Sequence, residues 1–433
     1  MHAGRIFGFL FVLPFLAVSA GAHWFIVAWA MRVFPRLARY RRPAKYVVGL
    51  VVVVAPLLRA VARHAHSSIL GEVLALFMVE AMFALLTLPL LAVAVAIARI
   101  AARPTRQPEI ARDDAVTEGA PKNDTAEDGA PKDDAPKPVA PKDDAPKPVA
   151  PPELPKLGRR EAIERAGGLL ALGATGSVLG WGIVRGRHAF QIDELVVRIP
   201  GLPKALDGYT IAQVSDLHAG INVSERDLKE GLDRIRETKP DLIVATGDLV
   251  DSDPHYAPML ARALSTLQAR DGVFAIPGNH DYYSGIGAVL EALRPTPVQV
   301  LMNRGLVIRP GDGGGFALLG VDDMWGYRSG GPGPDLDEAI GQVPADMPRI
   351  LLAHQPNFVR HAAGKVALQL SGHTHGGQIN PGFTPAKFLM PFVAGRFDVD
   401  GTILYVNRGF GVVGPPARVG APPEVTRVVL VSA

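Results

Sequence analysis

The sequence predicts an α/β domain built from two packed sheets with helices outside, preceded by an α-helical transmembrane region. Three observations carry this. Four apolar runs fall within the first 185 residues, and from about Ala189 the composition turns to that of a globular domain. In that domain short β-rich runs alternate with amphipathic segments, and the strands outnumber the helices, which argues against one simple parallel sheet. With 433 residues, 48% hydrophobic and 20% charged, the chain exceeds a single ordinary core, which stops growing near ~250–300 residues.

Ile6–Met31 holds no charge and is long enough to cross a hydrocarbon core of ~30 Å; a signal peptide has a shorter apolar centre. Residues 46–62 read as a second span, with Lys45 or Arg59 reaching to the interface. Residues 73–98 read as a third, carrying Glu80 inside it and facing the bundle. These three make up a transmembrane region over 1–100. Residues 101–165 form a linker rich in Pro, Lys and Asp, in which the decapeptide PKDDAPKPVA occurs at 131–140 and again at 141–150. Such a composition is solvated and disordered, and reads as a spacer. Residues 166–185 are the fourth span, rich in Gly and Ala.

Basic residues set the expected orientation. Arg32, Arg36, Arg39, Arg41, Arg42 and Lys45 follow the first run without an acid, so that loop is expected in the cytoplasm. Arg99, Arg103 and Arg106 follow the third run, and Arg159, Arg160 and Arg165 precede the fourth. The chain then reads as a multi-pass protein of the cell membrane with residues 190–433 on the non-cytoplasmic side, provided that the second run crosses. Arg159-Arg160 also resembles a twin-arginine export signal, and both readings send the last domain outward.

Within 190–433 the candidate strands are 194–199, 209–214, 241–246, 272–276, 298–302, 305–309, 315–320, 349–353, 366–370, 402–406 and 424–431. The candidate helices are 224–238, which opens on Ser224 with Asp227 three residues on, 255–269, 285–293 and 335–342. Five strands end on residues able to hold a metal: Asp216 and His218, Asp248, Asn279 with His280 and Asp281, His354, and His373 with His375. Strand ends in layered α/β folds are where sites form, because the backbone there leaves the ladder while remaining rigidly held. Five histidines gathered at such ends are hard to read as scattered core residues.

Composition excludes other chemistries. The chain has no cysteine, so disulfides, thiolate zinc sites, iron–sulfur clusters and a Cys nucleophile are ruled out. A net charge of +3 and 7% aromatic residues give no support for nucleic acid as a partner. Imidazole, carboxylate and amide donors suit manganese, iron or zinc, and eight donors are too many for one tetrahedral ion.

Asp216-x-His218, Gly247-Asp248, Gly278-Asn279-His280-Asp281, His354 and Gly372-His373-Thr374-His375 together resemble the signature of the calcineurin-like metallophosphoesterase superfamily. Gly376-Gly377-Gln378 and Pro422-Pro423-Glu424 resemble its membrane-associated bacterial subgroup. The resemblance covers residues 190–430 and implies a four-layer α/β/β/α sandwich and two divalent metal ions. Asp216, His218, Asp248 and His375 would hold the first, and Asp248, Asn279, His354 and His373 the second. It implies that His280 is the catalytic histidine with Asp281 holding its ring. The activity implied is hydrolysis of phosphodiester, phosphomonoester or pyrophosphate bonds by a metal-bridging hydroxide, on a phosphate ester or lipid-linked phosphate beside membrane lipids.

Two alternatives stand beside this: a pyrophosphatase of the UDP-diacylglucosamine type in lipid A synthesis, and a catalytically silent membrane receptor or scaffold. Arg304, Arg408 and Arg418 are candidate phosphate contacts, each with a plain surface role as the alternative. Trp325 and Tyr327 are candidates for a loop over the site.

Overall fold

A computed structural model of the chain describes residues 3–52, 68–101, 157–309 and 314–433. The linker from 102 to 156 and the expected second span beyond Val52 lie outside the described residues. The N-terminal region contains α1 (Ala3–Val33), a helix α2 over 41–52, α3 (Ser68–Ala101) and α4 (Arg159–Val184). α4 starts seven residues before the expected span, because Arg159–Arg165 carries no breaker and places Glu161 in the first turn, where the helix dipole favours an acid. Two described segments are long and apolar enough to cross a membrane: Phe77–Ala101 and Arg159–His188.

Helix directions follow from the contacts. His23 of α1 meets Glu80 of α3 at 2.5 Å, and about two to four turns later Trp29 and Val33 pack with Leu91 and Val95. The two series advance together, so α1 and α3 run parallel. α4 runs against both: its Glu164 pairs with Arg32 and its Gly167 lies against Ala94. A Cβ at Gly168 would fall inside the Trp29 ring, so glycine lets these two helices close up.

The remainder forms two mixed six-stranded sheets. The first, in spatial order, holds β1 (Gln191–Ile199), β12 (Glu424–Ser432), β2 (Tyr209–Val214), β3 (Leu242–Thr246), β4 (Val273–Ile276) and β5 (Val298–Val300). β2 to β5 are parallel there. The second holds β10 (Gly395–Val399), β11 (Thr402–Val406), β9 (Leu368–Ser371), β8 (Arg349–Leu352), β7 (Phe316–Gly320) and β6 (Arg304–Ile308). β11, β9, β8 and β7 are parallel, with β10 and β6 antiparallel at the edges.

One apolar cluster joins the sheets, combining Ile211, Val244 and Ile276 with Leu318, Leu352 and Leu370. A second covers the other face of the first sheet with Leu228, Leu232 and Ile235 of α5 (Glu225–Glu237), Leu260 and Leu264 of α6 (Ala257–Leu264), and Val289 and Leu293 of α8 (Ile286–Leu293). A third sets Leu336 and Ala339 of α10 (Leu336–Ile340) on Ala317, Leu319 and Leu351. Strands covered on both faces read as unbroken apolar runs, and every residue of β2, β3 and β4 is buried.

The sequence reading differs from this at several places, among them the short helices over Asn279–Tyr283 and Trp325–Arg328, which were not expected, and the two elements that follow. β10 was not expected: its residues alternate between half-buried and exposed, and it exists through pairing with β11. The helix expected over 255–269 stops at Leu264. There Ser265 Oγ and Thr266 Oγ1 donate to the carbonyls of Ala261 and Ala263, giving the last turn partners that compete with helix propagation.

Candidate metal centre

The carboxyl ends of β2, β3 and β4 in one sheet meet those of β8 and β9 in the other, and backbone bonds lock the turns together. Asp216 N–H donates to Gly247 O and His218 N–H to Asp248 O, each at 3.0 Å. His373 N–H donates to the Asp216 carboxylate at 3.0 Å, and His280 N–H to Asp248 Oδ1 at 2.8 Å. Five candidate ligands sit in the left-handed region: Asp216 (φ 54°), His218 (46°), Asp248 (52°), His373 (72°) and His375 (52°). Non-glycine residues adopt it at a cost, so the surrounding bonds hold these side chains on one point against local preference. Two glycines are there for room. A Cβ on Gly278 would strike the Asp248 carboxylate, and one on Gly372 would strike Ser215 Oγ and Asp216 Oδ2.

Six of the seven expected ligands fall in two groups, and a third group joins His218 to Asp251 and His280. Asp216, His218 and His375 form the first, and Asp248, His354 and His373 the second. Asp248 stands between them, with Oδ2 at 3.6 Å from His218 Nε2 and 3.1 Å from His354 Nε2. Imidazole nitrogens face each other at 3.0 Å (His218 and His375, both Nε2) and 3.2 Å (His373 Nδ1 and His354 Nε2). Asn279 Oδ1 is buried with no hydrogen-bond partner. Converging lone pairs and an orphaned amide oxygen are the donor set a pair of divalent cations would satisfy. His354 Nδ1 donates to Thr246 O at 2.8 Å, which fixes the tautomer and leaves Nε2 as the ligand atom.

The electrostatics of these groups agree with that donor set. Burial presses His354 down, but Asp248, Asp216 and Asp323 around it raise it to about 10. Burial, with the His354 charge nearby, lowers His373 to about 4. Burial and the His280 charge likewise lower His218 to about 4, which leaves both rings neutral, as ligands must be. Burial would raise Asp248, yet His354, His280 and His218 hold it well below the usual carboxylate range.

His280 departs from the expectation in its partner. Its Nδ1 lies 3.0 Å from Asp251 Oδ1 and 3.2 Å from Ser252 Oγ, so Asp251 holds the ring. Asp281 points elsewhere. Its Oδ1 accepts from the N–H groups of Leu249 and Val250, each at 3.0 Å, and its Oδ2 from Gly278 N–H at 2.8 Å. It staples the Asp248 turn to the start of α7 (Asn279–Tyr283). Asp251 was missed, although a second carboxylate three residues after Asp248 was the available signal.

The other candidates divide. Trp325, in α9 (Trp325–Arg328), packs edge-on against Tyr283 with centroids 4.7 Å apart, and Tyr283 packs on His280 at 5.0 Å. Tyr327 instead covers Gly333 and donates to Pro334 O. Arg418 is no surface phosphate contact: it is 1% exposed, and its guanidinium donates to the carbonyls of Gly411, Arg408 and Ala421 while Nη2 lies 3.3 Å from His375 Nδ1. Arg408 is taken up by Asp193 and Glu424. Arg304 is exposed on edge strand β6, paired with Gly320 at the end of β7.

Residues 209–377 match the family model of the calcineurin-like phosphoesterases. An uncharacterized metallophosphoesterase of Bacillus subtilis is 33% identical over 63% of this chain and 97% of its own length. A zebrafish (Danio rerio) transmembrane protein with a metallophosphoesterase domain is 33% identical over 60% of this chain. An uncharacterized metallophosphoesterase of Campylobacter jejuni is 35% identical over 54%. The matched part spans 62% of each of the last two relatives' own length. The chain belongs to the calcineurin-like metallophosphoesterase family, whose members use a binuclear divalent metal centre to hydrolyse phosphoric esters.

Proposed function

We propose that this chain is a membrane-anchored, binuclear-metal phosphoesterase, folded as a four-layer α/β/β/α sandwich, that cleaves phosphate esters or pyrophosphates, including lipid-linked ones, on the non-cytoplasmic side. One observation carries the chemistry: Asp248 Oδ2 stands between two Asp/His groups, 3.6 Å from His218 Nε2 and 3.1 Å from His354 Nε2, and Asn279 Oδ1 is buried and unpartnered. Asp216, His218, Asp248 and His375 would hold one ion, and Asp248, Asn279, His354 and His373 the other. Two divalent ions so held would activate the attacking water and offset the charge of the phosphoryl oxygens.

The chain's own residues do the rest. Two carboxylates and a neutral amide leave an ion pair with surplus positive charge, which favours an anionic substrate. Asp251 accepts from His280 Nδ1, and this stabilises the protonated ring and leaves the Nε2 proton for the departing oxygen. Asp281 keeps the Asp248 and Asn279 turns in register. Tyr283 packs on one side of His280 and Trp325 backs it.

The orientation draws on the bundle. A second span between them would account for α1 and α3 running parallel. Arg32, Arg99 and Arg159 then share one end, and the catalytic domain follows the other end of α4. Three apolar clusters, one between the sheets and one under each helical layer, support the four-layer reading.

The test uses the full chain in detergent, stripped with a chelator and reloaded with manganese. A chromogenic phosphodiester, its monoester and a lipid pyrophosphate are the substrates, beside Asp248→Asn. Expected is metal-dependent turnover of at least one, reduced by about 10³-fold or more in the variant as bound metal is lost. A metal-loaded chain that hydrolyses none of the three would refute the reading.

A further inference from the structure

The turn that carries His373 and His375 continues into a long loop before β10. No carboxylate occurs from Gly376 to Ala394, and Lys387 is the one charge. At the root of this loop Ile379 is buried with Val419 against Met82 and Leu86 of α3 and Ile183 of α4. At its tip Phe383, Phe388, Leu389 and Met390 are 59%, 82%, 86% and 37% exposed. Phe388 and Leu389 are the most exposed large apolar side chains among the described residues. A soluble surface rarely leaves four such groups together without a partner.

The bundle gives the level of this patch. The apolar part of α4, residues 166–184, rises about 28 Å at ~1.5 Å per residue, close to the ~30 Å of a hydrocarbon core. Ile183 therefore stands at the membrane boundary nearest the catalytic domain, and Ile379 packs on it. Trp181, 53% exposed, lies at the same level, where amphipathic rings settle. The loop is stiff: Pro381, Pro385 and Pro391 punctuate it, Asn380 Nδ2 donates to Gly376 O at 2.9 Å, and Thr374 Oγ1 donates to Val393 O. Whatever holds its tip also holds the turn of His373 and His375.

We propose that residues 381–392 dip into the bilayer leaflet around the catalytic end of the bundle, with Phe383, Phe388, Leu389 and Met390 among the acyl chains and Lys387 at the headgroup phosphates. The candidate metal centre then opens at headgroup depth. The occupant is lipid because the root of the loop is continuous with the interface to α3 and α4, and because an apolar tip with one cation and no acid suits an anionic leaflet.

The chain has no cysteine, so one introduced thiol is a unique label. Leu389→Cys, Glu230→Cys on exposed α5 and Ile97→Cys on the outer face of α3 would each be labelled with an environment-sensitive fluorophore. The full-length protein would be placed in vesicles of phosphatidylcholine and phosphatidylglycerol at 3:1. Expected at 389 is a blue-shifted emission, quenched at least twofold by nitroxide-bearing lipids, while 230 is unaffected. Emission at 389 like that at 230, with 97 quenched, overturns the proposal and leaves the membrane anchor standing. A blue shift at 389 without lipid quenching also overturns it, since a second copy or another protein would then cover the loop. No quenching at 97 refutes the membrane reading of the bundle and the loop proposal with it. No arm depends on turnover, so failure of the phosphoesterase reading would leave the result intact.

Discussion

Replacing Asp281 by Asn separates a structural staple from a catalytic orienter. The carboxylate is 0% exposed and accepts three backbone N–H bonds, from Leu249, Val250 and Gly278, at 2.8 to 3.0 Å. Bonds to a charged acceptor contribute ~1.5–3 kcal/mol each, and bonds to a neutral one ~0.5–1.5. The amide can keep the two bonds to Oδ1 in weaker form. It turns an NH₂ on the Gly278 N–H, leaving two donors face to face. Relief from burying a charge offsets part of the loss, so about 3 kcal/mol is expected. For a domain of this size ~2–4 °C follows per kcal/mol, so the melting temperature should fall by about 6–12 °C. The assay is thermal unfolding of the full chain in detergent, metal-free and metal-loaded, beside Asp251→Asn. A melting temperature for Asp281→Asn within about 1 °C of the parent, together with an altered pH profile of turnover, would refute the staple and restore Asp281 as the partner of His280.

Asp251→Asn should lower kcat by about 10- to 100-fold with a much smaller loss of metal affinity, because it weakens the 3.0 Å hold on His280 Nδ1 while its contact with the candidate ligand His218, at 3.8 Å, is longer. Unchanged kcat would show that His280 needs no such partner. Gly372→Ala should weaken manganese binding by about tenfold or more, measured by titration of the stripped protein, since the new methyl collides with Ser215 Oγ and the Asp216 carboxylate. Affinity equal to the parent's would mean that this turn yields more freely than its bonds suggest.

Much of the catalytic domain was legible because its strands are buried on both faces. β3 falls inside the expected 241–246, since Leu242–Ala245 is an unbroken apolar stretch between polar turns. β10 was hidden for the opposite reason: Gly395–Val399 has no apolar run, and its identity as a strand comes from its neighbour. At the site the candidate ligands were legible as residue types at strand ends. Their roles beyond that were not. Asp281 and Asp251 are both acids in Gly-containing turns, and only the path of the backbone decides which meets amide protons and which meets an imidazole. Arg418 gave no sign of burial in sequence because its carbonyl partners, Arg408, Gly411 and Ala421, are gathered round it only when the long segment between β11 and β12 folds back on itself.

Arg418 also joins two parts of the molecule. Its backbone N–H donates to Gly182 O in the last turn of α4, while its guanidinium lies beside His375. With the bundle embedded as proposed, the site stands at a set altitude above the membrane rather than swinging on a tether. Encounters then scale with the number of substrate molecules per unit area of lateral surface, not per unit volume. A phosphate ester carried on a bulky soluble body would have to approach through a gap of constant height, so the anchor itself selects among substrates before any side chain touches them.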